Sequence, residues 1–172
     1  MISAYIGIGS NIEPAANVRA AVHALAHRTR LVAISTVYLT AAIGTQDQPP
    51  YYNCVAKIET AAPPAGIKFG ILRNIEDSLE RKRTADKFAP RTIDLDLLVY
   101  GDLVLDAEGI KLPDPDILER PFLAVPLCEL APDMVLAGYG LRIVGIAARL
   151  PQDGMKPLGD YTRLLRKELA RQ

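Results

Sequence analysis

The sequence lacks an excess of charge of either sign, since 20 lysines and arginines balance 20 aspartates and glutamates. Without a global basic field a general nucleic-acid binder is disfavoured, and any anion must be met by local arginine clusters. Cysteine is scarce: Cys54 and Cys128 stand alone in apolar surroundings. They form neither a metal-ligand spacing nor a disulfide framework, which predicts reduced core residues in a cytoplasmic protein. Histidine is limited to His23 and His27. Their helical spacing can hold a metal, yet the pattern is not His-Glu-x-x-His and no acidic residue stands beside them. They predict ordinary helix surface, and no His-dependent nucleophilic triad. The opening Met1-Ile2-Ser3-Ala4-Tyr5-Ile6 has no basic region, and no long apolar run occurs, which predicts neither a signal peptide nor a membrane span. No Walker A sequence is present, so no P-loop holds a nucleotide. After Gly7 and Gly9, Ile12 occupies the place of a third glycine, so this is a tight strand exit rather than a dinucleotide fingerprint.

What is present begins with size. A chain of 172 residues, 49% hydrophobic and 23% charged, predicts one soluble globular domain over residues 1–172. Its most informative stretch is Arg91-Thr92-Ile93-Asp94-Leu95-Asp96-Leu97-Leu98-Val99-Tyr100. Ile93, Leu95, Leu97 and Val99 alternate with Thr92, Asp94 and Asp96, which predicts a strand. Residues two apart on a strand share a face, roughly 6.5–7 Å from one another, so Asp94 and Asp96 form a carboxylate pair. Aspartate is a poor strand former, and the two carboxylates repel one another unless a cation compensates. A divalent ion answers this, and magnesium suits one or two carboxylates completed by water and phosphate oxygens. The alternative is a solvated strand face with Asp94 paired to Arg91.

Residues 2–8 predict the first strand and residues 13–28 a helix, with Pro14 in its first turn and Val18, Ala21, Val22, Leu25 and Ala26 at helical spacing. Residues 31–40 predict a second strand, 41–50 a surface loop, and 51–60 a third strand opening on Tyr51, Tyr52 and Asn53. An aromatic ring beside an amide suits a flat heterocycle, though it equally suits a core tyrosine and a turn-capping asparagine. Ile67, Ile71, Leu72, Ile75 and Leu79 predict an amphipathic helix to about residue 79. The polar stretch from Glu80 to Arg91 holds Arg81, Arg83, Arg91, Lys82 and Lys87. Its nearness to Asp94 and Asp96 points to polyphosphate, with arginines gripping oxygens. Gly101-Asp102 predicts a turn into a short strand at 103–105. Residues 106–120 read as loop, 122–130 and 141–150 as short helices, and 161–172 as a terminal helix.

In combination these segments resemble the 6-hydroxymethyl-7,8-dihydropterin pyrophosphokinases, enzymes of folate biosynthesis, from about Ala4 to Pro132. Four blocks carry the resemblance: Tyr5-Ile6-Gly7-Ile8-Gly9-Ser10-Asn11; Gln46-Asp47-Gln48-Pro49 through Tyr51 and Asn53; Pro90-Arg91-Thr92-Ile93-Asp94-Leu95-Asp96; and Arg120-Pro121-Phe122. The resemblance implies a ferredoxin-like α+β fold, a mainly antiparallel sheet with helices packed on it. It implies transfer of pyrophosphate from ATP to the pterin hydroxymethyl group, giving AMP. It also implies that Asp94 and Asp96 hold two Mg²⁺ ions. Asn53 and backbone around Thr40, Ala41 and Ile43 would bind the pterin edge, and Tyr51 and Phe122 would sandwich its ring. Arg81, Arg83, Arg91 and Arg120 would surround the triphosphate, Arg83 on a closing loop, with Glu76 and Leu97 near the nucleotide. Catalysis then rests on Arg83, Arg91, Asp94 and Asp96, with aspartate or water left for proton removal. The expected partners are the two small substrates, acting on a cytoplasmic monomer without nucleic acid or membrane.

One departure stands out. After Leu112-Pro113 this chain has Asp114 where the family usually carries a phosphate-binding histidine. A carboxylate there opposes a triphosphate by about 1–4 kcal/mol unless a metal absorbs its charge or the side chain points away. This motivates a second reading, a pterin- or nucleotide-binding protein with weakened or lost turnover. A nucleotidyltransferase is a third, but Ser10 and Asp94 lie too far apart for that motif.

Overall fold

The computed structural model describes residues 1–44, 47–86 and 88–171. Gln46 of the second sequence block, Lys87 of the polar stretch and the terminal Gln172 lie outside the described residues. The order is β1 (Ile2–Ser10), α1 (Pro14–Arg28), β2 (Arg30–Ile34), β3 (Tyr38–Thr40), β4 (Tyr51–Thr60), a π-helical turn (Gly66–Leu72) running into α2 (Arg73–Ser78), and β5 (Asp94–Tyr100). There follow the hairpin β6 (Leu105–Ala107) and β7 (Ile110–Leu112), a 3₁₀ turn (Pro115–Leu118) and α3 (Pro121–Leu130). The chain continues through the hairpin β8 (Val135–Leu136) and β9 (Leu141–Arg142), α4 (Ile143–Arg149), β10 (Met155–Pro157) and α5 (Gly159–Leu169). The main sheet runs β10-β3-β4-β1-β5, with β2 also paired to β4, and these pairings are antiparallel. The portion from β1 to β5 is the ferredoxin-like α+β sandwich expected from the strand and helix order.

Period-two alternation divides the core between the sheet's two faces. Ala4, Ile6 and Ile8 of β1 join Cys54, Ala56 and Ile58 of β4 and Leu95 and Leu97 of β5. That face packs on Val18, Val22 and Leu25 of α1 and on Ile67, Leu72 and Ile75. Burying each such aliphatic side chain contributes about 1.5–3 kcal/mol. Tyr5, Val55, Leu98 and Val99 face the other way, under Ala124 and Leu127 of α3 and Ile143 and Ile146 of α4. Val99 departs from the predicted alternation because a bulge between Tyr5 and Ile6 leaves Leu98 without a direct partner. The extra residue turns Leu98 and Val99 to the same core.

Several predicted elements are corrected. The run 31–40 is two strands, since the partner of Leu31 is Ile58, that of Ala33 is Lys57 and that of Tyr38 is Asn53. The slip between Leu31 and Ala33 is a bulge, and between the strands Ser35 leaves regular pairing to exchange bonds with Val55. The helix over 64–78 is wound wider at its centre, where the Arg73 N–H reaches the Lys68 carbonyl, a π turn. No short strand forms at 103–105 as predicted: β6 starts at Leu105, and part of the supposed loop 106–120 pairs as β7. Leu141 and Arg142 belong to β9 rather than to the following helix. β10 had no signal in the sequence, because a three-residue strand is too short to show a period. Among the described residues no helix is long and apolar enough to cross a membrane.

Candidate active site

The site lies on the α3 face of the sheet, and strand register builds it. Gly9 of β1 pairs with Asn53 of β4 on one side and with Asp94 of β5 on the other. Tyr38 pairs with Asn53 and Thr40 with Tyr51, while Asp96 pairs with Gly7. Asn53, Asp94 and Asp96 therefore project from one face, with bare glycine between the amide and the first carboxylate. Two interstrand spacings, about 9.5 Å, separate the Asn53 and Asp94 backbones. Gly9 has a local reason. A Cβ there would lie 2.7 Å from Asn53 Oδ1, so its missing side chain makes room for the amide. Asn53 Nδ2 in turn donates to Thr40 Oγ1 at 2.7 Å in a buried contact.

Beside the first turn of α3 is a cavity of about 410 Å³. The residues predicted to meet the pterin, Thr40, Ala41, Ile43, Tyr51, Asn53 and Phe122, all line it, and Arg91 and Arg120 close one side. Burial pushes the Tyr51 hydroxyl above its usual range, with Arg91 opposing. Gln48, Phe88 and Asp116 also line this cavity and had no assigned role from sequence. Phe88 had one available signal, an aromatic standing alone in a charged stretch. Asn11 ties the two flanking loops together. It donates to Gln48 Oε1 at 3.2 Å and to the Pro49 carbonyl at 3.3 Å, and its Oδ1 accepts the Arg91 N–H at 2.7 Å.

Arg91 and Arg120 belong to the cavity lining, whereas Glu76, Arg81, Arg83, Asp94 and Asp96 are not among the lining residues. Asp94 is held by two arginines: Arg81 Nη1 approaches Oδ1 at 2.9 Å, and Arg91 bonds Oδ2. The Arg91–Asp94 pairing expected of a solvated strand face is thus present, and Arg81 joins it. Arg81 also donates to the Ile93 carbonyl at 2.5 Å. Its Nε, together with Thr92 Oγ1, is buried without a hydrogen-bond partner among the described residues. Glu76 is a buried junction, accepting the Leu95 N–H at 2.9 Å and Arg83 Nη2 at 2.5 Å. It joins α2 to β5 while Arg83 also pairs with Asp77 at 2.8 Å. Arg83 is therefore drawn back onto α2 and does not line the cavity. Leu97 turns its side chain into the core, leaving only its main chain at the outer edge of the sheet. Arg120 makes no ion pair among the described residues.

Asp96 carries the largest electrostatic burden. Part of the residue is exposed, but burial and the charges of Asp94, Asp114 and Glu76 push its carboxyl up to about 8, with Lys68 opposing. Like charges gathered without enough compensation call for a cation. Among the described residues no group of three or more His, Cys, Asp or Glu side chains is arranged to hold a metal. Asp94 and Asp96 lie two apart on one strand, and two carboxylates so placed are a donor set of the kind that an ion completing its shell with substrate oxygens and water can take. Asp114 serves the local backbone, its Oδ1 accepting the Asp116 N–H at 2.9 Å and so capping the 3₁₀ turn. Burial raises its carboxyl above the usual range, and Lys68 opposes. His23 and His27 lie on α1, with His23 Nε2 2.9 Å from Glu168. The acidic neighbour missing from the local sequence is thus supplied by the fold, as a tie between helices.

A sequence model of the family described as 7,8-dihydro-6-hydroxymethylpterin-pyrophosphokinase matches residues 5–132. A 2-amino-4-hydroxy-6-hydroxymethyldihydropteridine pyrophosphokinase of Haemophilus influenzae is 41% identical over 139 residues, covering 79% of this chain and 86% of that protein. A protein of the same name from Pseudomonas aeruginosa is 37% identical over 158 residues, 90% of this chain and 95% of its own length. In three dimensions the chain is similar to wild-type Plasmodium falciparum HPPK-DHPS, with a TM-score of 0.69 at 11% identity over 91% of this chain. It spans about half of that longer protein, 47%, and at this identity the likeness speaks for the fold.

Proposed function

Because the chain belongs to the 7,8-dihydro-6-hydroxymethylpterin-pyrophosphokinase family, we propose that the half-open face of its sheet is where the family's reaction takes place. The enzyme transfers pyrophosphate from ATP to 6-hydroxymethyl-7,8-dihydropterin in folate biosynthesis. The hydroxymethyl oxygen forms a bond to the β-phosphorus of ATP, the bond from that phosphorus to the α-phosphate oxygen breaks, AMP leaves, and the hydroxyl proton is lost. The row Asn53–Gly9–Asp94 is the observation that carries the placement. It puts a heterocycle-reading amide and a carboxylate on opposite sides of a strip with no side chain.

In this reading Asn53, oriented by Thr40, bonds the pterin edge with backbone of Ala41 and Ile43, and Tyr51 and Phe122 cover the two ring faces. With the ring edge held at Asn53, the hydroxymethyl arm points across Gly9 toward Asp94 and Asp96. Arg91 and Arg120 stand at the rim between ring and phosphates. Arg81 and Arg83 exchange their carboxylate partners for phosphate oxygens as the triphosphate arrives, and the unpartnered Arg81 Nε supplies a further donor. Glu76 holds the loop root and β5 together, and the Leu97 main chain borders the nucleotide. Asp94 and Asp96 are the residues that would hold Mg²⁺, two ions in this proposal. Bound there, the ions supply neutralisation of phosphate charge. Phosphoryl transfer of this type depends mainly on alignment and charge stabilisation, which suits a site without histidine. The proposal includes a single domain over residues 1–172 acting as a cytoplasmic monomer. Incubation with ATP, Mg²⁺ and the hydroxymethyl-dihydropterin tests it: AMP forms only when both substrates are present, and AMP without the pterin, or none at all, refutes it.

A further inference from the structure

The residues beyond the family match do more than finish the fold. β3, which carries Thr40, has three residues and pairs with the end of β4. A strand that short on an open edge is weakly held. β10 takes that edge, pairing Met155 with Thr40, Lys156 with Leu39 and Pro157 with Tyr38. Directly opposed residues share a face, so Met155 stands beside Thr40 on the cavity side. There Pro151, Gly154 and Met155 line a second cavity of about 210 Å³ together with Phe122, Thr40 and Arg120, which also line the first. The irregular link between β2 and β3 is gripped from the same quarter. The Leu158 N–H donates to the Val37 carbonyl at 2.8 Å, and the Val37 N–H donates to Thr162 Oγ1 at 2.9 Å. Arg166 Nη2 reaches the Ile34 carbonyl at 3.0 Å.

We propose that the C-terminal segment is a positioning element for the pterin side of the site, with Met155 as its contact residue. Met155 packs beside Thr40 and backs the Phe122 wall, so that Thr40 holds Asn53 at the angle the pterin edge requires. It acts through those residues and does not touch the phosphates. The inference rests on placing the pterin against Thr40 and Asn53.

The test is steady-state AMP formation and thermal unfolding for Met155→Ala, Met155→Leu and Asn53→Ala. For Met155→Ala the KM for the pterin rises about three- to tenfold, the scale of one weakened hydrogen bond, while kcat and the KM for ATP stay within about twofold. Met155→Leu, close in volume, restores the pterin KM. An unchanged pterin KM in Met155→Ala, a parallel rise for both substrates, or no rescue by leucine overturns the inference. If Asn53→Ala raises the pterin KM and Met155→Ala does not, the positioning role alone falls. If Asn53→Ala leaves it unchanged, the placement of the pterin falls with it.

Discussion

Gly9→Ala isolates the steric reason for a glycine in the first strand. The new Cβ lies 2.7 Å from Asn53 Oδ1, a clash that must be relieved by movement. The backbone of β1 is fixed by pairing on both sides, to β4 and β5. Asn53 must therefore shift, and its amide is held by Thr40 at 2.7 Å. Displacing it weakens that bond or misaligns the edge offered to the pterin. Breaking a hydrogen bond in a buried setting costs about 1–3 kcal/mol, which is roughly 5- to 150-fold in kcat/KM for the pterin. Gly7→Ala is the matched control on the same face. Its Cβ meets only side-chain ends, Leu123 Cδ2 at 3.3 Å and Leu98 Cδ1 and Cδ2 at 3.4 Å, which can give by a few tenths of an ångström. Initial rates of AMP formation with pterin varied at saturating ATP, then the reverse, separate the two variants. The reasoning fails if Gly9→Ala keeps the wild-type pterin kcat/KM, or if Gly7→Ala loses as much.

Replacing Asp94 or Asp96 by alanine abolishes turnover, but the two act oppositely on stability. Asp94→Ala removes the carboxylate that Arg81 and Arg91 share and lowers the melting temperature, while Asp96→Ala relieves the crowding with Asp94, Asp114 and Glu76 and raises it; shared direction in calorimetry refutes the electrostatic account. Asp114→Asn keeps an acceptor for the Asp116 N–H and holds stability near wild type, whereas Asp114→Ala loses a capping interaction and about 1 kcal/mol. Asp114→His improves the KM for ATP if that carboxylate opposes the triphosphate, and an unchanged or higher KM rejects the idea. Arg19 and His23 bonds hold the Glu168 carboxyl below its ordinary value of 4.5. A depressed carboxyl stabilises the fold above its unfolded value and loses that contribution as pH falls through its folded one. Denaturant unfolding below about pH 4.5 therefore shows a shallower loss for Glu168→Gln than for wild type, and identical slopes contradict the tie between α1 and α5.

Much of the site was legible because its residues announce their chemistry in short stretches. Asp94 and Asp96 fall on the strand that the alternation expected, and Tyr51 and Asn53 lie on the strand expected from residue 51 and line the cavity. The less legible parts depend on partners remote in the chain. Arg83 reads as a phosphate ligand, but Glu76 and Asp77, seven and six residues earlier on α2, draw it back. Leu97 reads as part of the nucleotide site, but its side chain completes the core on α1. Phe88, Gln48 and Asp116 join the cavity through loop contacts that no local pattern encodes. The run 31–40 looks uninterrupted because periodicity registers β-propensity and cannot register bulges set by a neighbouring strand.

Sequence alone determined the longer strands and helices, the carboxylate pair on one strand and the arginine cluster before it, since these follow from residue identity and local spacing. Tertiary structure decided that Asn53 and Asp94 flank the same glycine, that Asp94 meets two arginines at once, and that Met155 from the chain's last quarter stands beside Thr40. The first and last of those depend on strand register, and register is settled by hydrogen bonds and core packing between segments that the chain brings together only when the whole sheet forms; the second depends on the loop after α2 folding back onto β5.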